Sequence, residues 1–263
     1  WGWDEILPIF KRFEDNEFGP SPTRGVGGPL HISTPRDPDP LCREMMAAGT
    51  GIGLTQVQDI NESDAERIGY ATSTIRNGRR VSAATAFLKP VLRRPNLTVL
   101  TNTEVRRILL EHGRAVGLQI AGKRGTGEVR ATREVIVSLG SLNSPRLLQL
   151  SGIGPGEVLR AAGVRVQLER ENVGRRMREH RCATLRYRLN ADLGYNRQLS
   201  SSAAQAVTGA RYLLSRKGPL AAPSFDIIAF VKSTPEAERV DGQLLLGPWT
   251  IPAYNAGEPV AIE

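Results

Sequence analysis

The apolar positions of this chain change period several times, and each change predicts an element. In residues 3–13, Ile6, Leu7, Ile9, Phe10 and Phe13 recur at helical spacing, with Asp4 and Glu5 in the first turn. This is an amphipathic helix, and Pro8 lies early enough to be tolerated. Residues 16–40 are rich in Pro, Gly and Asp, and Gly27-Gly28-Pro29 predicts a turn before a short strand around His31. A short helix is expected over 40–48. Gly49-Thr50-Gly51-Ile52-Gly53 reads as a flexible turn, because it lacks the lysine of a phosphate-binding loop and follows no clear strand. Ser82 is a good N-cap for an Ala-rich helix ending near Pro90.

Alternating segments come next. Residues 94–105 read as a turn, a strand and a departing loop. Strands are expected at 106–110 and 115–120 and from 128 onward, with turns at His112-Gly113-Arg114 and at 122–127. This is a β-meander. It leads into the β-branched run 135–137, which reads as a short buried strand ended by Gly140. Asn143 or Ser144 would cap a helix with Pro145 at its first position and Leu147, Leu148 and Leu150 on its apolar face. Strand, small-residue turn and helix N-terminus together suit an extended anionic or nucleotide ligand. Beyond it, a helix is predicted at 157–162 and a turn and strand at 163–168. Residues 183–189 look strand-like, 202–214 helical, and 225–232 and 243–246 strand-forming.

Composition narrows the class. The 263 residues are 40% hydrophobic and 24% charged, as in an ordinary globular chain with a sizeable core. The net charge of +8 comes from scattered arginines, with no basic block and no aromatic interleaving, so a nucleic-acid role is not expected. Cys42 and Cys182 lie far apart and give neither metal spacing nor a disulfide framework; no metal site is expected. No run approaches a membrane span. The chain starts at Trp1 and carries no visible targeting segment, and a cytoplasmic location is the working expectation.

One long motif goes further. Gly140-Ser141-x-x-Ser144-Pro145-x-Leu147-Leu148-x-x-Ser151-Gly152-Ile153-Gly154 resembles the second signature of the glucose–methanol–choline (GMC) family of flavin-dependent oxidoreductases. Trp3-Asp4-Glu5-x-Leu7-Pro8-x-Phe10-Lys11-Arg12 is similar to the family helix that leads from the flavin domain. Val173, Gly174 and His180 match its crossover element. The resemblance implies a mixed α/β (α+β) fold: part of a two-dinucleotide-binding FAD domain with a β-meander, plus part of an antiparallel-sheet substrate domain. It divides the chain into 1–80 (helix and linker segments), 81–170 (FAD domain) and 171–263 (substrate domain).

The resemblance also implies FAD as cofactor. Val105 would meet the adenine through its backbone, and Ser138, Gly140 and Ser144 would line the adenosine or pyrophosphate part. An alcohol would lose a hydride to the flavin, and oxygen or a quinone would accept the electrons. The family's Gly-x-Gly-x-x-Gly fingerprint would precede Trp1, and its catalytic histidine pair would follow Glu263. No catalytic residue is therefore assigned, and the chain alone is expected neither to hold FAD tightly nor to turn over. His180 takes the structural role of the crossover. The alternative is an inactive remnant, or one subunit of a split enzyme, acting as a binding module. A homo-oligomer or a complementing chain would cover its open edges.

Overall fold

The computed structural model describes residues 2–123, 125–187 and 189–250. In chain order, helix α1 (Trp3–Phe13) leads to β1 (Glu14–Asn16) and β2 (Leu30–Ile32). Helix α2 (Leu41–Gly51), β3 (Thr55–Gln56), β4 (Arg67–Tyr70), β5 (Ile75–Arg76) and β6 (Arg79–Arg80) follow. Then come β7 (Glu104–Glu111), β8 (Arg114–Gly122), β9 (Gly125–Arg130), α3 (Gly140–Leu150), β10 (Ile153–Gly154), α4 (Gly156–Ala161) and β11 (Leu168–Glu169). The chain continues through α5 (Asn196–Leu199), α6 (Ser202–Ser215), β12 (Ile227–Val231) and β13 (Gly242–Leu246). Two compact units form: 1–94 together with 184–263, and 95–183.

In the first unit the principal sheet has the order β13-β12-β4-β3. It is antiparallel except at β3–β4, which pair in parallel. Helix α2 covers one face. Cys42 and Met46 from the helix pack on Leu54, Ile68, Ile227 and Ala229, with Met45, Tyr70, Val231 and Leu246 at the margin. The helix runs through glycines that the sequence suggested were a turn. Gly49 is needed there because a Cβ would stand 2.6 Å from Ile68 Cδ1; the turn comes only at Gly53, where φ is 99°. Arg24 grips Asp59 with two bonds, Nε–Oδ2 at 2.6 Å and Nη2–Oδ1 at 2.7 Å, and reaches Glu14 at 3.0 Å. Helix α6 starts as expected, with the Ser201 hydroxyl accepting from Ala204 N–H.

The second unit is built on the antiparallel meander β7-β8-β9. Its first turn uses left-handed His112 and Gly113. Helix α3 packs on β7, and Ile108, Leu147 and Leu159 are buried. Ser151, at the end of α3, is the fastener: its hydroxyl donates to the Leu147 carbonyl at 2.6 Å and accepts the Ile108 N–H at 2.8 Å. Gly152, at φ 82°, lies so close to the 165–167 turn that a Cβ would stand 2.5 Å from the Arg165 carbonyl oxygen.

Several expectations need correction. No strand forms within residues 94–103, and 135–137 is unpaired and without regular structure, with Ile136 79% exposed. Neither has a neighbouring strand among the described residues, and an isolated run gains no ladder hydrogen bonds. Residues 183–187 likewise form no strand, and Leu185 and Tyr187 are exposed. Helix α3 starts at Gly140, with Pro145 inside it rather than at its first position. The Ala-rich segment after Ser82 is a wide π-turn, Ala84–Leu88, followed by a 3-10 turn, Lys89–Val91. Ser82 does cap it, accepting from Thr85 N–H at 3.2 Å. No described helix is long and apolar enough to cross a membrane.

Replacing Ser151 tests the fastener. Ser151→Ala leaves the buried Ile108 N–H without an acceptor and should cost about 1–3 kcal/mol. Urea unfolding reads this, and a loss below about 0.5 kcal/mol, the scatter of ordinary surface changes, would remove Ser151 from that role.

Candidate functional site

The second unit places the four residues expected to meet a dinucleotide. Val105 is half-buried on β7, the edge strand of the meander, paired with Ile120 just before a bulge. Ser138 is exposed on the approach to α3. Gly140 takes φ 83° at the helix start, and the space a Cβ would fill there is open. Ser144 is half-buried and turns back, its hydroxyl accepting the Leu139 N–H at 3.0 Å. Ser138, Gly140 and Ser144 therefore share one turn at the start of an 11-residue helix, and Val105 lies on the strand edge that the same helix packs against. A turn that demands glycine, with open space beside it and a helix macrodipole behind it, fits the close approach of a nucleotide's anionic portion. The second half of the motif has a different job: Ser151, Gly152 and Gly154 hold α3 to its neighbours.

The histidines are placed as follows. His31 is half-buried, with Nδ1 2.9 Å from Asp15 Oδ2. Asp15 also receives Arg76, and its carboxyl is held below the ordinary range by the His31 and Gly27 hydrogen bonds. His112 supplies a left-handed turn position, and His180 is exposed. Only His31 is paired with a carboxylate, and no histidine is hydrogen-bonded to a serine, threonine or cysteine side chain among the described residues. Among the described residues no group of three or more His, Cys, Asp or Glu is arranged to hold a metal.

The first unit holds a site that sequence reading missed. Asp226, immediately before β12, is fully buried, and neither carboxyl oxygen has a hydrogen-bond donor among the described residues. The Tyr195 hydroxyl is also buried, with no hydrogen-bond partner among the described residues. Cys42 and Asp39 complete the cluster. Asp39 Oδ1 accepts from Leu41 N–H at 3.0 Å and Gly194 N–H at 2.9 Å, so it is satisfied where Asp226 is not. Burial, and then the charge of Asp39, push the Asp226 carboxyl up to about 6. Burial, helped by the charge of Asp226, pushes the Cys42 thiol up to about 12 and raises Tyr195 as well. In the sequence Asp226 sits inside Phe225-Asp226-Ile227-Ile228-Ala229-Phe230, an apolar run read as sheet core. The signal was a lone acid in that run.

A meander returning to a glycine turn and a helix, in a chain that also builds a mixed sheet under a helix, is the α/β class used by nucleotide-dependent oxidoreductases. The solved structures agree. The chain is 43% identical to pyridoxine 4-oxidase from Mesorbium loti, with a TM-score of 0.61 over 64% of this chain and 33% of that one. An FAD-dependent oxidoreductase from Chaetomium thermophilum shares the fold at 24% identity, with a TM-score of 0.72 over 88% of this chain and 43% of its own. Residues 1–182 match the GMC oxidoreductase family. Oxygen-dependent choline dehydrogenase of Rhizobium etli is 38% identical over 253 residues, covering 92% of this chain and 44% of that protein. The Brucella anthropi enzyme of the same name is 37% identical over 243 residues. The chain belongs to the GMC oxidoreductase family, and it spans a little under half the length of these curated relatives.

Asp226 makes a pH prediction. Its folded pKa lies above the unfolded value, so its contribution to stability is fully present below about 4 and is lost as pH rises through about 6. The loss is on the order of 2–3 kcal/mol, from about 1.4 kcal/mol per pH unit. Asp226→Asn should flatten the pH 4–7 stability profile and be the more stable form at pH 8. Equal slopes for the two proteins in that window would show that Asp226 is not the group that titrates.

Proposed function

We propose that this chain is part of an FAD-dependent oxidoreductase that oxidises the CH–OH group of an alcohol. The observation that carries this reading is the glycine turn at Gly140, φ 83° with open space beside it, at the head of α3 in a GMC chain. When bound, the flavin supplies the two-electron chemistry by accepting a hydride. This chain's residues hold the other end of the cofactor. Val105 offers its strand backbone to the adenine, and Ser138, Gly140 and Ser144 line the adenosine or pyrophosphate part. Leu139 N–H is already taken by Ser144, so Ser144 fixes the turn for the ligand. Electrons leave to oxygen or a quinone.

The substrate is an alcohol that carries an ammonium group. Asp226 supports this, because a buried carboxylate without a donor is costly unless it holds a proton or meets a cation. The aromatic residues around this part of the chain suit a quaternary ammonium: Tyr70 and Tyr195, and the stacked pair Phe225 and Trp249, whose centroids are 6.4 Å apart. Relatives at 38% identity are named choline dehydrogenases, and choline is such an alcohol.

A second reading has its own observation. Leu100 and Ile136 lie on segments with no regular structure and no strand neighbour among the described residues, and both are exposed. Such unpaired backbone favours pairing with another polypeptide. The chain would then act as one subunit of a split enzyme, or as a binding module descended from one, and its oligomeric state would follow from that pairing.

Saturation-transfer NMR of the chain with FAD separates the readings. Adenosine protons should receive saturation, isoalloxazine protons far less, and Gly140→Val should abolish the transfer. No transfer to any part of FAD would overturn the cofactor reading and leave the binding module. The ammonium claim is tested separately, by thermal shift at pH 8. Choline should bind about tenfold more tightly than its neutral isostere 3,3-dimethylbutan-1-ol, the factor that about 1.4 kcal/mol of pairing provides. Asp226→Asn should erase the difference. Equal binding of the two compounds by the unaltered chain would exclude Asp226 as a cation partner.

A further inference from the structure

The first unit contains a cavity of about 280 Å³ that the proposed alcohol chemistry does not use. That size is near the lower end for small-molecule pockets, about 300 Å³. Three segments enclose it: 33–37, the β5–β6 hairpin, and the turn after α6. Its floor is fixed. Ser33 is buried and donates its hydroxyl to the Ile75 carbonyl at 2.6 Å, while Ser33 and Ser73 exchange backbone bonds at 2.9 and 2.8 Å. The hairpin turns through Asn77 (φ 52°) and Gly78 (φ 67°), and a Cβ on Gly78 would lie 2.5 Å from the Arg216 carbonyl oxygen. Glycine at 78 is therefore what lets the hairpin and the α6 turn close the cavity.

Its lining has two characters. Pro35, Ile75, Ala221 and Ala222 give apolar walls. Arg36, Arg216 and Lys217 give an excess of positive charge. Lys217 has no hydrogen bond or ion pair among the described residues. The Arg216 guanidinium lies 4.7 Å from the Tyr212 ring centroid and meets no carboxylate there. Arg36 spends one donor on Asn77 Oδ1, at 3.1 Å. The single acid of the lining, Asp37, is already held by Arg211 at 2.9 Å. Guanidinium and ammonium groups that line an apolar hollow and meet no carboxylate among the described residues call for an anion with an apolar body.

We propose that this cavity binds a small organic carboxylate, its apolar body against Ile75 and the two alanines and its carboxylate held by Arg36, Arg216 and Lys217. A carboxylate fits better than a phosphate. Its planar pair of oxygens matches a guanidinium fork, and the walls offer a second phosphate charge little solvation. The inference rests on this cavity alone and stands or falls independently of the cofactor reading.

Calorimetric titration of the chain with benzoate, benzyl alcohol and inorganic phosphate tests it. Benzoate should bind, benzyl alcohol and phosphate each about tenfold more weakly, and benzoate affinity should fall as salt rises. Lys217→Ala and Arg36→Gln alter exposed side chains and should leave the melting temperature unchanged, and together they should weaken benzoate about tenfold or more, the loss expected for charge-assisted bonds. Absence of benzoate binding, equal binding of benzyl alcohol, or full benzoate affinity in the double variant would each overturn the proposal. Phosphate binding as tight as benzoate would overturn it too, since the apolar walls would then contribute nothing.

Discussion

The pairing of β12 with β4 is the constraint on which the first unit depends. Ile227 faces Tyr70 and Phe230 faces Arg67, joining parts of the chain more than 150 residues apart. All of residues 95–183 intervene and fold as a unit of their own. Without this ladder α2 would lose Ile227 and Ala229, the two fully buried members of the core that Cys42 and Met46 meet on the sheet beside Leu54 and Ile68. The closure entropy of so long a loop is moderate, because it grows only with the logarithm of length, and folding the inserted unit shortens the effective loop further. The hydrophobic gain from several fully buried side chains offsets it. Arg67 shows how tightly the join is made. Its guanidinium donates to the Ile60 carbonyl at 2.7 Å while lying 4.3 Å from the Phe230 ring centroid, so a charged residue at a buried strand position is satisfied by the loop before its own strand and by a ring on the partner strand.

The second unit divides one motif into two tasks. Its front half, through Ser144, makes an open glycine turn whose amide and hydroxyl are already arranged. Its back half, from Ser151, has no open space at all: Ser151 is buried between Leu147 and Ile108, and Gly152 and Gly154 are pressed against neighbours. A single run of small residues reads as one ligand-binding signature, yet small residues serve two opposite needs, open space and no space. The room for a Cβ separates them: nothing would lie within 4 Å of one at Gly140, but at Gly152 the nearest atom would stand at 2.5 Å.

How much was legible follows from the same distinction. Local signals carried well. Helix α6 starts at Ser202, where its pattern put it, and His112-Gly113 turns β7 into β8. Helix α1 appears where its spacing put it. Strands that depend on distant partners carried poorly. The β-branched run 135–137 has strand composition, but a strand is defined by its ladder, and no neighbour exists among the described residues. Gly49 misled for a related reason. Glycine in a helix is unfavourable by itself, and only the approach of Ile68, nineteen positions later in the chain, makes it required.

Asp226 is the clearest case of a site that sequence alone concealed. Its neighbours in the chain are apolar, so the local pattern assigns it to a buried strand, and burial is what the structure finds. The chemistry arises because Asp39, the other acid of the cluster, has its backbone donors from Leu41 and Gly194 while Asp226 has none. Burial, and then the charge of Asp39, push the Asp226 carboxyl up to about 6, and no donor among the described residues offsets that push. A core that needed only stability would place an apolar residue there. Among the described residues nothing completes the carboxyl, and a cation is the partner that cancels the desolvation penalty most directly, which is the physical ground for the ammonium reading.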